Sequence, residues 1–177
     1  MQKDKEKGDH ATTFMLRLVV LLLAFASAAA ASDWSRANNC MHLGPSVDGE
    51  GSLLCDLQQS MGEQAREHVA RELWAADLAT DFTVALVVIE KHELTAKDLA
   101  GHVRSELAGV GRRPCVVVVV DLSRRLASTV RSLDGMVPVS AMQAVMEAAP
   151  RFLSVLPRDK ALESLARLLA AELIAGK

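Results

Sequence analysis

The sequence predicts an α/β fold, a three-layer α/β/α sandwich around a small mixed sheet. Residues 82–89 (Phe-Thr-Val-Ala-Leu-Val-Val-Ile) and 116–120 (five valines) are short apolar runs rich in β-branched side chains. Runs of that length and composition suit strands covered on both faces. Around them lie amphipathic stretches of helical period, which supply the two covering layers. A chain of 177 residues has room for one domain with a real core and not for two comfortable ones.

The N-terminal stretch comes first in chain order. Lys3, Lys5, Lys7 and Arg17 precede an uncharged run from 18 to 31, whose apolar core at 18–26 has the length of a signal-peptide h-region. Small residues at 27–32 then offer Ala-x-Ala sites such as Ala29 and Ala31. Residues 1–31 are therefore expected to be a signal peptide. An uncleaved anchor is the other reading, although the run falls short of the ~20 residues a span needs. Met15 is an alternative start. The expected address is the secretory pathway, with a secreted or extracellular product or, under the other reading, a membrane-anchored one.

Residues 32–55 carry Gly44, Pro45, Gly49 and Gly51 and read as an irregular lead-in. Cys40 and Cys55 lie close together there, and a secretory route permits a disulfide between them; two free thiols are the alternative. The bridge would close a loop of about 15 residues and add about 3 kcal/mol in the chain-entropy picture. Cys115, opening the valine run, is expected to be a buried apolar thiol.

Residues 56–177 form the expected domain. A helix is predicted over 56–79, where Leu57, Met61, Ala65, Val69, Leu73 and Ala76 draw one apolar stripe. The first central strand follows at 82–89. Thr95 with Asp98 has capping-box spacing, and Leu99, Val103 and Leu107 continue a helix that ends near Gly109 and Gly111. The valine strand comes next, then a turn at 121–125 and a more polar strand at 126–133, antiparallel to it and closed by Asp134-Gly135. Ser140 with Gln143 is a second capping box, opening a helix expected to stop at Pro150. The last helix starts near Asp159, after Pro157, and ends before Gly176, with Leu162, Leu165, Leu169 and Leu173 on one face. Strands separated by a helix of this length should pair in parallel through right-handed crossovers.

Several function classes are disfavoured. Aromatic residues are only 3 % of the chain, with no tyrosine, so stacking platforms for sugars or single-stranded nucleic acid are not expected. A net charge of −2 provides no field for nucleic acid or anionic membranes. The phosphate-loop, nucleophile-elbow, zinc-protease and dithiol motifs are absent. The five histidines (His10, His42, His68, His92, His102) never sit at ligand spacing with another His or Cys and read as surface imidazoles. Acidic residues at strand ends are the remaining candidates. Glu90 and Asp121 close two parallel strands and Asp134 closes the third, a placement that could offer oxygen ligands to Ca²⁺ or Mg²⁺ on one rim. Solvated turn residues are the plainer reading. The pairs Arg112-Arg113 and Arg124-Arg125 flank the valine strand and read as a solvated edge.

A helix opening after Cys55-Asp56, the strand at 82–89 and a helix closing on Gly109-Val-Gly111 together resemble the TPM domain family. So do the valine strand, Asp121-Leu-Ser-Arg-Arg-Leu, Leu133-Asp-Gly135 and Ala149-Pro-Arg-Phe152 before a terminal helix. The resemblance covers roughly residues 54–175 and rests on hydrophobic patterns. Cys40 with Cys55-Asp56 is similar to the family's animal extracellular branch, which includes a modulator of a levamisole-sensitive acetylcholine receptor. That implies a non-enzymatic module whose partner is a membrane protein or receptor at the cell surface. Thylakoid-lumen relatives of the fold are associated with acid phosphatase activity. A weak metal-dependent phosphatase is therefore the alternative, with Glu90, Asp121 and Asp134 as its candidate ligands. Leu57-Gln58-Gln59 stands where the branch has Pro-Asp-Gly, and Pro114-Cys115 where Asn-Gly is usual, which weakens carry-over of a metal or ligand site. The membrane helix that follows the domain in that branch has no counterpart here, implying a soluble product unless the N-terminal segment anchors it.

Overall fold

The computed structural model describes residues 38, 40–43, 51–110, 113–131 and 137–176, and nine strands and helices lie among these described residues. Strands β1 (Met41–Leu43) and β2 (Ser52–Asp56) precede helix α1 (Glu63–Ala79). Strand β3 (Thr83–Ile89), helix α2 (Ala96–Val110) and strand β4 (Cys115–Asp121) follow. Strand β5 (Leu126–Arg131) and helices α3 (Val139–Val155) and α4 (Arg158–Ala175) complete the chain. The five strands form one mixed sheet in the order β1-β2-β3-β4-β5. β2, β3 and β4 are parallel, and the two edge strands run antiparallel to their neighbours.

Alternation along the strands builds the three layers. Leu54, Val84, Leu86, Val88, Val116, Val118 and Val120 point to one face and pack with α1, α3 and α4. Leu53, Cys55, Ala85, Val87, Ile89, Val117 and Val119 point to the other, against α2. Every residue of β3 and β4 is buried, which explains why these two strands read as unbroken apolar runs. The α/β/α sandwich expected from the sequence is the fold.

Four local expectations need correction. The stretch 32–55 is not wholly irregular, because it contains β1 and β2. Their strand character comes from pairing with β3's neighbourhood, and two adjacent leucines between Ser52 and Cys55 carry little strand signal alone. The helix expected from 56 begins at Glu63, since Asp56 finishes β2 and its carboxylate organises a turn instead. α3 starts one residue early at Val139, and Gln143 bonds Glu147 rather than closing a capping box. It also runs through Pro150, which sits on the exposed side, where water can take the carbonyl the missing N–H leaves unbonded. The Thr95 cap forms as expected: its hydroxyl oxygen accepts the Asp98 N–H at 3.2 Å and the two side chains meet at 2.6 Å.

The crossovers depart from the general rule. β2, β3 and β4 step across the sheet in one direction, yet α1 lies on one face and α2 on the other. Two connections that step the same way on opposite faces have opposite hands, so one of them is left-handed. This topology sets where the chain diverges at the sheet's rim.

A polar clamp closes the opposite, amino-terminal rim. Arg113 donates to the Asp77 carboxylate at 3.1 Å and to the carbonyls of Asp77, Thr80 and Phe82 at 3.1, 2.8 and 3.1 Å. Ser52 donates its hydroxyl to the same Asp77 oxygen and accepts the Val84 N–H. The side chain expected on a solvated edge thus ties the end of α1 to the start of β3; Arg112 lies outside the described residues.

Between α1 and α4, Glu163 receives Lys160 at 2.8 Å and stands 3.4 Å from His68 Nδ1. The hydrogen bond from Lys160 is the main influence holding its carboxyl below the usual 4.5; burial opposes it, and His68 adds a lesser lowering effect. A depressed carboxylate contributes stability above its unfolded pKa and loses it as pH falls through the folded value. Melting temperature measured from pH 6 downward should therefore fall more steeply in the natural protein than in Glu163→Gln, with the difference concentrated below the ordinary glutamate range.

Candidate functional site

In open α/β sheets a crevice forms where adjacent strands send their connections to opposite faces. Here that point is the carboxyl end of β2 and β3, because β2 leads to α1 and β3 leads to α2. The register places Asp56 beside Val88 and Ile89 beside Asp121, so Asp56, Glu90 and Asp121 do line one rim. Glu90 and Asp121 were expected there. Asp134 lies outside the described residues.

Each rim carboxylate is already engaged by the protein. The Asp56 side chain, 3 % exposed, accepts the Ser60 N–H, the Ser60 hydroxyl and the Met61 N–H, all at 2.8 Å. Arg66 approaches it at 3.5 Å, with its Nε buried and without a partner. Asp121 accepts the Ser123 hydroxyl at 2.7 Å and the Arg124 N–H at 3.0 Å, closing the β4–β5 hairpin in which Arg125 takes φ 54°. The Glu90 side chain is 42 % exposed and pairs with Arg158 at 3.2 Å.

Gln58 stitches the crevice shut. Its carbonyl oxygen accepts the Glu90 N–H at 2.9 Å, and its amide donates to the Lys91 carbonyl at 2.8 Å. Among the described residues no group of three or more His, Cys, Asp or Glu side chains could hold a metal ion. The sequence singled out Glu90 and Asp121 but passed over Asp56 and Gln58, since both were assigned to a helix. An Asp four residues before a Ser, ahead of an apolar stripe, was the available signal.

The open surface lies elsewhere. Between β1 and α1 a groove of about 520 Å³ is lined by Met41, His42, Leu43, Glu67, Ala70, Arg71 and Trp74. Leu43 and Ala70 form a buried floor. Trp74 is 46 % exposed and Met41 39 %, with Leu78 at 66 % one turn further along α1. Residues 67, 70, 71, 74 and 78 share a helix flank because α1 turns Val69, Leu73 and Ala76 into the core. A tryptophan left half in water beside a methionine and a leucine is the kind of anchor that protein interfaces use. Trp74 does not stand out in the sequence, although its step of one residue off the core stripe places it on this flank.

The Cys40–Cys55 disulfide is formed, and Cys115 is a buried thiol outside it. Cys40 precedes β1 and Cys55 lies in β2, with their Cα atoms 4.2 Å apart, so the bridge continues the cross-strand register of Met41 with Leu54.

No family model matches the chain, and no curated protein matches it. Solved structures do resemble it. The BA42 protein of the psychrophilic bacterium Bizionia argentinensis matches with a TM-score of 0.54 at 10% identity, over 68% of this chain and 86% of that one. The N-terminal domain of the cg2496 protein from Corynebacterium glutamicum matches with a TM-score of 0.56 at 10% identity, over 75% of this chain and 87% of that one. The likeness is one of fold. It places the α/β architecture among known structures and leaves function to the chain's own surface.

Proposed function

We propose that this chain is an extracellular, TPM-type module that docks on a membrane protein at the cell surface and has no catalytic role. The observation that carries the proposal is the contrast between its two candidate surfaces. The crevice where an α/β enzyme would bind substrate is bridged by Gln58, and its carboxylates are spent on internal hydrogen bonds and ion pairs. The Trp74 groove is open and apolar, with Glu67 and Arg71 at its rim to set orientation. The disulfide suits an oxidising, extracellular compartment. Among the described residues no helix is long and apolar enough to cross a membrane. The TPM-like pattern and the secretory reading of residues 1–31 supply the class of partner.

Binding of labelled, oxidised protein to intact cells of the source organism tests this. Trp74→Ala should weaken saturable binding by about 30-fold or more, as loss of an interface anchor worth about 2 kcal/mol does. Lys97→Ala, on the exposed side of α2, should leave it unchanged. Equal binding by both variants would remove the groove from the proposal. Hydrolysis of a generic phosphomonoester by the purified protein, lost in Asp121→Asn, would move the assignment to the phosphatase alternative.

A further inference from the structure

We propose that the Cys40–Cys55 bridge is a reducible strap that holds edge strand β1 in place and so sets the shape of the Trp74 groove. The inference concerns the fold's mechanics and does not require that the groove receive a partner.

The strand pairing of β1 is short. The strand is three residues long, lies at the sheet edge and, among the described residues, pairs in the sheet with β2 alone, through Met41–Leu54, His42–Leu53 and Leu43–Ser52. Of its three side chains only Leu43 is buried. The bridge lies at the strand's amino end, one register step before Met41. β2 has an independent hold, because it also pairs along β3 and all five of its residues are buried. Breaking the bridge therefore loosens β1 first and leaves β2 to β5 and the helices packed. Because Met41, His42 and Leu43 form one wall of the groove, a loosened β1 opens it toward Trp74.

The two sulfurs differ in access. Cys55 is wholly buried and Cys40 is partly exposed, so an incoming thiolate meets Cys40 first. The reductant is an external dithiol, small or carried by a disulfide-exchange protein. Its first thiolate attacks Cys40 Sγ, the S–S bond breaks, and Cys55 leaves as a thiolate that takes a proton. The second thiol of the reductant attacks the mixed disulfide, forms its own S–S bond and releases Cys40 as a thiol. Two electrons pass to the protein, which gains two S–H groups while the dithiol becomes a disulfide.

The test uses the full chain with Trp34→Phe, which leaves Trp74 as its one tryptophan. The oxidised protein is treated with dithiothreitol, or with thioredoxin and its reducing system, without denaturant. Alkylation and mass spectrometry count the released thiols, tryptophan emission reports the groove, and far-ultraviolet circular dichroism reports the helices. The strap predicts modification of Cys40 and Cys55, a red shift and easier acrylamide quenching of Trp74, and unchanged helix content. Cys40→Ser should show the reduced protein's emission with or without dithiol; if that variant does not fold, the reduced natural pair still decides the question. A bridge inert to dithiol under native conditions overturns the proposal. So does reduction that leaves Trp74 emission unchanged, or reduction that melts the helices together with the strand.

Discussion

Arg113→Ala should lower the stability of the domain by about 3 kcal/mol, the size expected when a buried ion pair loses one partner. The guanidinium serves four acceptors at once: the Asp77 carboxylate and the carbonyls of residues 77, 80 and 82. Asp77 itself is buried, at 7 % exposure, so its charge would be left with Ser52 alone. Three carbonyls at the α1–β3 connection would lose a donor in the same substitution. With a urea m-value of about 2 kcal/mol/M, the unfolding midpoint should fall by roughly 1.5 M. Arg113→Lys should recover only part of this, since one ammonium cannot span the acceptors that a planar fork reaches. A midpoint shift near zero for Arg113→Ala would mean the clamp is solvated.

Asp56→Ala should cost a similar amount, about 3 kcal/mol, by a different route. Its carboxylate accepts two backbone N–H groups and one hydroxyl between β2 and α1, and Arg66 leans on it. Removal orphans the Ser60 and Met61 amides and leaves a cationic side chain whose Nε is buried without a partner. Asp56→Asn keeps one acceptor and should fall between. Amide hydrogen exchange at Ser60 and Met61 should quicken in both variants well before the sheet's own amides are affected, because the damage is local to the turn.

The two effects bear on what the sequence could tell. β3 and β4 were legible because burial on both faces leaves an unbroken apolar run. Their parallel pairing followed from the helix between them, and β5's antiparallel return followed from the short turn at Asp121. The amphipathic periods gave α1, α2 and α4 their buried stripes. β1 and β2 were not legible, since a three-residue edge strand and its five-residue neighbour take their structure from register rather than propensity. Arg113 and Asp77 are far apart in sequence, and nothing local in either announces the other. The opposite placement of α1 and α2 also lay beyond sequence, because the ordinary expectation is one crossover hand throughout.

For the candidate site the balance is similar. Sequence put Glu90 and Asp121 on a common rim, and the structure places them at neighbouring strand ends. It could not show that Arg158 reaches back from α4 to Glu90, nor that Gln58 bridges β2 and β3 where the connections diverge. Those long-range contacts decide what the rim can do. The Cys40–Cys55 pairing was proposed from spacing and compartment and is present. The groove it borders needed β1, and so needed coordinates.

Site-specific photocrosslinking on intact cells tests the docking surface most directly. A photoreactive side chain at position 71, on the groove rim, should join the protein to one membrane protein, whereas the same group at position 97 on α2 should not. Crosslinks from position 97 with none from position 71 would contradict the account.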